Sequence, residues 1–489
     1  MNKKQILKSI IFIVIFAGLY YVTNNIFISK WTDSNKETYT TQEFYKLPKN
    51  SVEVLGLGSS QVVQGICPME MYVNYGVSAY NIAMGSEPIL VSYFWLQEAL
   101  RTQDIKVVYF DTSMLFEPTV EANYRKGLDT MKMSLVKLKA IKRHCIDAKT
   151  DKTDGVDSYL IPFMKYHSRW DSLEEKDYYT NYDDPDLFRG YTFSNTVKRM
   201  NPEEIVIGDN KVDEDFEVME VELDYFNQLI NLCKEKNIEL VLVKTPKANW
   251  TLGKHNYVQQ IADEENIEFL DFNMPDYSKA IGFDAETDMT DKEHLNFAGA
   301  KKLSGYLGEY FAKNFELTDF RDSSKASKTE MDEYIEKSEV TSIQVEYRFS
   351  EYIKLLGNKD YDVILSLTSD NTRTWSDKQK EIFRGYGIDF EAGMNYVCYY
   401  SGGELVEVKK SEEVIKYEGK LSDGTSVSAF SDINTEYKKP KIQIGDVEYA
   451  FPCRGLNMFT YDTKTSKVIE SISFNMDERD GDLRKRTGR

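Results

Sequence analysis

Short apolar runs alternate with amphipathic stretches through the first two-thirds of the chain. VEVLGLG (52–58), AYNIAM (79–84), KVVYFD (106–111), ELVLVK (239–244) and IEFLDF (267–272) read as five buried strands. Between them the apolar spacing is helical. Val221, Tyr225, Leu229 and Leu232 keep one face over 221–234, and Leu303, Tyr306, Leu307, Tyr310 and Phe311 keep one over 297–311, with Asn296 as its cap. Strands alternating with helices predict right-handed crossovers and a parallel sheet covered on both faces. Ligands of such sheets sit beyond the strands' C-terminal ends. From about 115 to 220 the alternation is interrupted by a stretch rich in Tyr, Asp and Lys, read as an insertion that leaves the loop after the third strand and roofs that edge. It contains the helix MSLVKLKAIKRHC (133–145), basic on one side through Lys132, Lys137, Lys139, Lys142 and Arg143. That side reads as a solvated face, with contact to lipid headgroups or an anionic polymer as the other reading.

Residues 316–342 are polar, charged and without strand pattern, so they read as a linker. Beyond them short strands recur at turn-like intervals, with one helix opened by Ser376 and Gln379 as a capping box. This predicts a separate, mostly β domain over 343–476 and a disordered tail over 477–489. At the other end, Lys3, Lys4 and Lys8 precede an uncharged, mostly apolar run from Ile10 to about Ile28, long enough to cross a bilayer. Its strongest part ends in Tyr20, Tyr21 and Val22 without a small-x-small site, which favours an uncleaved anchor over residues 1–30 rather than a signal peptide. The lysines place the N-terminus in the cytoplasm and the folded domains outside the cell membrane.

Composition narrows the function without choosing it. At 489 residues two domains are the default, and a net charge of −19 argues against general nucleic-acid binding. The five cysteines have no metal-type spacing; Cys398 and Cys453 are the one pair that shares a segment, and isolated buried thiols are the alternative. The sequence asks for no metal and no cofactor. The candidate chemistry lies in two stretches 231 residues apart: Gly58-Ser59-Ser60 after the first strand, and Asp291 with His294 in TDKEHLNFAGAKKL (290–303). A serine hydroxyl is a poor nucleophile until a histidine takes its proton, and the imidazole needs a carboxylate to fix its tautomer. The loop before the last helix would bring both side chains to the sheet edge where Ser60 sits.

With Gly85 after the second strand, these motifs resemble the SGNH (GDSL-like) hydrolase superfamily over roughly 50–315. The resemblance implies a flavodoxin-like three-layer α/β fold with a parallel sheet, Ser60 as nucleophile, His294 and Asp291 as its partners, and the backbone N–H groups of Ser60 and Gly85 as oxyanion donors. The family's Asn after the third strand is replaced here by FDTSML, where Thr112 or Ser113 would have to substitute. The anchored, outward-facing arrangement, with TPKANW (245–250) and FLDFN (269–273), resembles a narrower group that accompanies membrane-bound O-acyltransferases. It implies acyl transfer to a cell-envelope polysaccharide or teichoic-type polymer; a polysaccharide O-deacetylase and a non-catalytic glycan-binding scaffold are the alternatives. KYHSRWDSL (165–173) adds His167, Arg169 and Trp170 as candidate contacts for a sugar or phosphate, or else a buried Trp with an Arg satisfying local carbonyls. His144 and His255, without visible partners, read as surface or structural. Through YDVILSLTSDNTRTWSDKQKEIFRGYGI (361–388), Arg454-Gly455-Leu456-Asn457 and the closing VIESISF (468–474), the C-terminal domain resembles the interleukin-like EMT inducer domain, which implies glycan binding, with a rigid spacer or protein-contact module as the other reading.

Overall fold

The computed structural model describes residues 3–33, 36–147, 154–178, 184–207, 215–321, 323, 328–368, 376–391, 393–431, 441–449, 455–474 and 485–487. The chain divides into two compact units, Met1–Ser338 and Glu339–Arg489.

The first unit opens with α1 (Lys3–Phe27), a single helix long and apolar enough to span a membrane. The core follows as β1 (Val54–Gly58), α2 (Ser60–Gly65), β2 (Ala79–Ala83), α3 (Ile89–Ala99), β3 (Val107–Asp111), α4 (Glu220–Lys236), β4 (Glu239–Lys244), α5 (Leu252–Glu265), β5 (Glu268–Asp271) and α6 (Phe297–Asn314). The five strands are parallel in the order β2-β1-β3-β4-β5, a doubly wound topology. Every residue of β1, β2 and β3 is buried, which is why these strands read as unbroken apolar runs rather than alternating ones. Asn296 caps α6 as expected, accepting from the N–H groups of Ala298 and Gly299 at 3.0 and 3.3 Å.

Glu222, on α4, is enclosed in this unit. Its carboxylate accepts the Ile89 N–H at 2.6 Å at the start of α3, and burial pushes its pKa from the ordinary 4.5 up to about 7. The folded state therefore binds the extra proton between these values. The stability this adds is complete below pH 4.5 and is lost as the pH rises through 7. Relative to Glu222→Gln, the wild-type first unit should lose on the order of 3 kcal/mol between pH 4.5 and 7.5, measured by denaturant unfolding in mild detergent. Parallel pH profiles for the two proteins would exclude this assignment.

Among its described residues the insertion holds several short helices and a small hairpin, Leu187–Phe188 with Tyr191–Thr192. Its last part runs beside the loop before α6: the Phe297 N–H donates to Ser194 O at 2.9 Å and the Lys198 N–H to Met289 O at 2.8 Å. The basic helix, Leu135–Asp147, differs from expectation at one position. Lys137 is buried and its Nζ donates to Met131 O at 2.8 Å, so only Lys132, Lys139, Lys142 and Arg143 are exposed. The stretch read as a linker contains a helix, Lys328–Val345, whose early residues belong to the first unit. There Tyr334 is buried and donates to Glu70 Oε2 at 2.6 Å, and Glu330 pairs with Arg189 at 2.9 Å.

The second unit is built on antiparallel strands. One sheet contains Tyr361–Thr368, Asn395–Ser401, Glu404–Ser411, Gly455–Asp462, Lys467–Phe474 and Lys485–Thr487, and a four-stranded sheet packs on one of its faces. Ile364, Val397 and Phe459 meet Ile415, Val427 and Ile442 in the layer between them. Val363, Leu365, Leu367 and Met458 point the other way, toward Phe383 of the helix Asp377–Gly385. Ser376 and Gln379 form the expected capping box on that helix. The strand Lys485–Thr487 falls in the segment read as a disordered tail, the rest of which lies outside the described residues. Cys398 is a free thiol, pushed up to about 12 by burial; its suggested partner Cys453 lies outside the described residues.

Candidate active site

The end of β1 sets the geometry. Gly58 has φ +132°, and a Cβ there would stand 2.8 Å from Asp111 Cβ, so only glycine lets β1 turn this close to β3. Ser59 follows as the cap of α2: its Oγ accepts the Gln61 N–H at 3.3 Å and donates to Asp111 Oδ2 at 2.5 Å. Ser59 is thus buried and engaged, while Ser60 is half-buried with its Oγ 2.8 Å from His294 Nε2. His294 Nδ1 lies 3.0 Å from Asp291 Oδ2. A carboxylate oxygen can only accept, so Nδ1 carries the proton and Nε2 is left to accept from the Ser60 hydroxyl.

Asp291 also fixes the loop. Its Oδ1 accepts the backbone N–H groups of Glu293 at 2.7 Å and His294 at 2.9 Å. Partial burial pushes its pKa up, but the hydrogen bonds from the His294 ring and these N–H groups outweigh it and hold the carboxyl below its ordinary range.

Two further connections pin the same loop, and sequence reasoning did not anticipate either. Gln61 Nε2 donates to Glu293 O at 2.6 Å, and the Ala248 N–H donates to Lys292 O at 2.8 Å. Behind Gln61 stands the buried Lys244, the last residue of β4. Its Nζ donates to Gln61 Oε1 at 3.1 Å and Ser113 Oγ at 2.9 Å, and lies 3.6 Å from Asp111. Burial pulls its pKa down to about 8, with Asp111 opposing. The signal was present as a lysine and TPKANW closing an apolar strand, which on its own reads as an ordinary strand end.

The expected oxyanion donors fare unevenly. The Ser60 N–H is the first of α2, among the donors that a helix leaves unpartnered at its start. Gly85 is brought next to the turn, because the Met84 N–H donates to Gly58 O at 3.2 Å. Its carbonyl accepts the Lys126 Nζ at 3.2 Å. The Thr112 hydroxyl is buried and without a hydrogen-bond partner, and the Ser113 hydroxyl donates to Asp111 Oδ1 at 2.7 Å. Only the Ser113 hydroxyl is thereby committed to another group.

Of His167, Arg169 and Trp170, the arginine is engaged at the end of α1. Arg169 Nη1 donates to Phe27 O and Ile28 O, both at 2.9 Å, and Nη2 pairs with Asp177 at 2.7 Å. Of the two readings of this insert, the guanidinium fits the one in which it satisfies local carbonyls, here at the end of α1. Trp170 is 71% exposed rather than buried, and His167 Nδ1 lies 3.1 Å from Met164 O. His144 and His255 are structural, paired with Glu121 at 3.1 Å and Asp271 at 2.8 Å. A cleft of about 940 Å³ lies beside Glu239, His255 and Phe269, toward the strands' N-terminal ends, and none of Ser60, Asp291 or His294 lines it. Among the described residues no group of His, Cys, Asp and Glu could hold a metal ion.

No protein-family model matches the chain, and no curated protein matches it. Solved structures resemble it weakly. A candidate acylhydrolase from Bacteroides fragilis NCTC 9343 is 10% identical over 58% of this chain and 97% of its own, with a TM-score of 0.28. A candidate lipolytic protein of the G-D-S-L family from Desulfitobacterium hafniense DCB-2 is 10% identical over 53% and 98%, with a TM-score of 0.27. A gut microbial diltiazem-metabolizing enzyme is 11% identical over 78% and 57%, with a TM-score of 0.20. With scores this low, the chemistry rests on the sheet order and the side-chain geometry.

Proposed function

We propose that this chain is an SGNH-type serine acyl-group enzyme, tethered to the cell membrane by α1, that acylates a cell-envelope polysaccharide or teichoic-type polymer. The observation that carries the reading is the hydrogen-bonded series Ser60–His294–Asp291 at the C-terminal edge of the sheet. In this reading Ser60 Oγ attacks the acyl carbonyl while His294 Nε2 takes its proton, and Asp291 steadies the imidazolium. The oxyanion is met by the N–H groups of Ser60 and Gly85. When the carbonyl re-forms, the leaving group takes the proton from His294 and the acyl group stays on Ser60. A polymer hydroxyl then attacks the acyl-serine, giving its proton to His294, and Ser60 Oγ leaves with that proton as the new ester forms.

A membrane-bound O-acyltransferase would supply the acyl group from the other side of the bilayer, and the second unit would hold the glycan. The 2.8 Å Ser60–His294 distance weighs against an idle scaffold. The test is the acyl content of surface polymer, measured by NMR on material from cells carrying Ser60→Ala. A fall supports transfer, a rise identifies a deacylase, and an unchanged value restores the scaffold.

A further inference from the structure

The contacts of α1 define where the folded part of the first unit begins. Residues 4–22 are exposed on all sides, residues 23–29 are half-buried, and Lys30 is buried. At about 1.5 Å per residue the bare length is ~28 Å, one hydrocarbon thickness. Tyr20 and Tyr21 stand at its domain-side end, where tyrosines mark a membrane–water boundary.

One segment of the insertion, 156–171, is fastened to this same level. The Tyr20 hydroxyl donates to Leu160 O, and the Phe163 N–H donates to Asn24 Oδ1 at 3.0 Å. The Phe163 ring meets the Phe27 ring edge-on at 4.9 Å. Arg169 seals the last carbonyls of α1, so the segment cannot shift along the helix without uncovering them. Yet the segment exposes five large apolar side chains, Val156, Ile161, Phe163, Met164 and Trp170, the last at 71%, among the exposed polar residues Asp157, Lys165, His167, Ser168 and Asp171. Such a cluster is costly in water and fits a lipid surface, and the helix it clasps fixes its depth.

We propose that segment 156–171 is a membrane-seating face, lying in the headgroup–acyl boundary of the leaflet from which α1 emerges, with Trp170, Phe163 and Met164 immersed. It holds the first unit at a set height over the bilayer instead of leaving it on a loose tether. The inference rests on the reading of α1 as an uncleaved span.

The test uses the full chain in phosphatidylcholine vesicles, with and without lipids brominated on the upper acyl-chain carbons. The emission of Trp170 is taken as wild type minus Trp170→Phe; Trp170 is exposed, so the substitution leaves packing intact. Bromine should remove about half or more of that difference emission. The mass of the membrane-extracted chain is read in parallel. An intact N-terminus with unquenched Trp170 overturns the seating face alone. A chain shortened by the length of α1 overturns the span, and the seating face with it.

Discussion

Ser60→Ala is expected to lower turnover of an activated acetyl ester by about 10⁴-fold or more, with the protein still folded. Ser60 is half-buried and its hydroxyl bonds to His294, so truncation leaves neither a cavity nor an unpaired buried group. His294→Ala should cost a similar factor, and the double variant should be no worse than either single one. Nucleophile and base act as one unit, so removing the second member removes nothing further. The neighbouring serine gives the contrast. Ser59 caps α2 and bonds to the buried Asp111, so Ser59→Ala should lose about 1 kcal/mol of stability and keep most of its turnover. Steady-state kinetics and denaturant unfolding on the four variants separate the roles. Multiplicative losses in the double variant would show that Ser60 and His294 act independently. The wild-type rate itself should be modest, because β3 is followed by Thr112, whose hydroxyl is buried, and not by a side-chain amide, and one such donor is worth about 10²–10³.

The sheet was legible because strands buried on both faces leave short apolar runs, here alternating with amphipathic helical stretches. The Ser60–His294 pairing was legible for a different reason: the helix start after Asn296 fixes where the loop ends, and parallel topology allows only one edge for it. What stayed hidden depends on partners distant in sequence. The sequence left two readings of Arg169 open because its acceptors are backbone carbonyls of α1, which no side-chain pattern announces. Lys244 and Gln61 act through one buried network whose members lie 183 residues apart. Helix Lys328–Val345 is polar on most of its surface, and buried Tyr334 is a thin apolar signal for an element held by polar contacts.

Asp291→Asn is expected to lower turnover by about 10³–10⁴-fold while leaving the loop in place. Asparagine keeps one oxygen, which can still accept the N–H groups of Glu293 and His294, so the backbone around His294 should hold. The ring is affected differently. With the amide nitrogen toward Nδ1, the imidazole moves its proton to Nε2, and a protonated Nε2 cannot accept from the Ser60 hydroxyl. The loss should therefore appear in kcat rather than KM, since no contact to the acyl group has changed. Asp291→Ala should lose as much activity and also loosen the loop, lowering the thermal midpoint where Asn does not. The native carboxyl is held below its ordinary 3.8, so its grip is present above that pH and is released only as the pH falls through its folded-state value. An Asp291→Asn protein with wild-type kcat would mean that Gln61 and the backbone orient His294 unaided, and that the ionised carboxylate takes no part in the proton transfer.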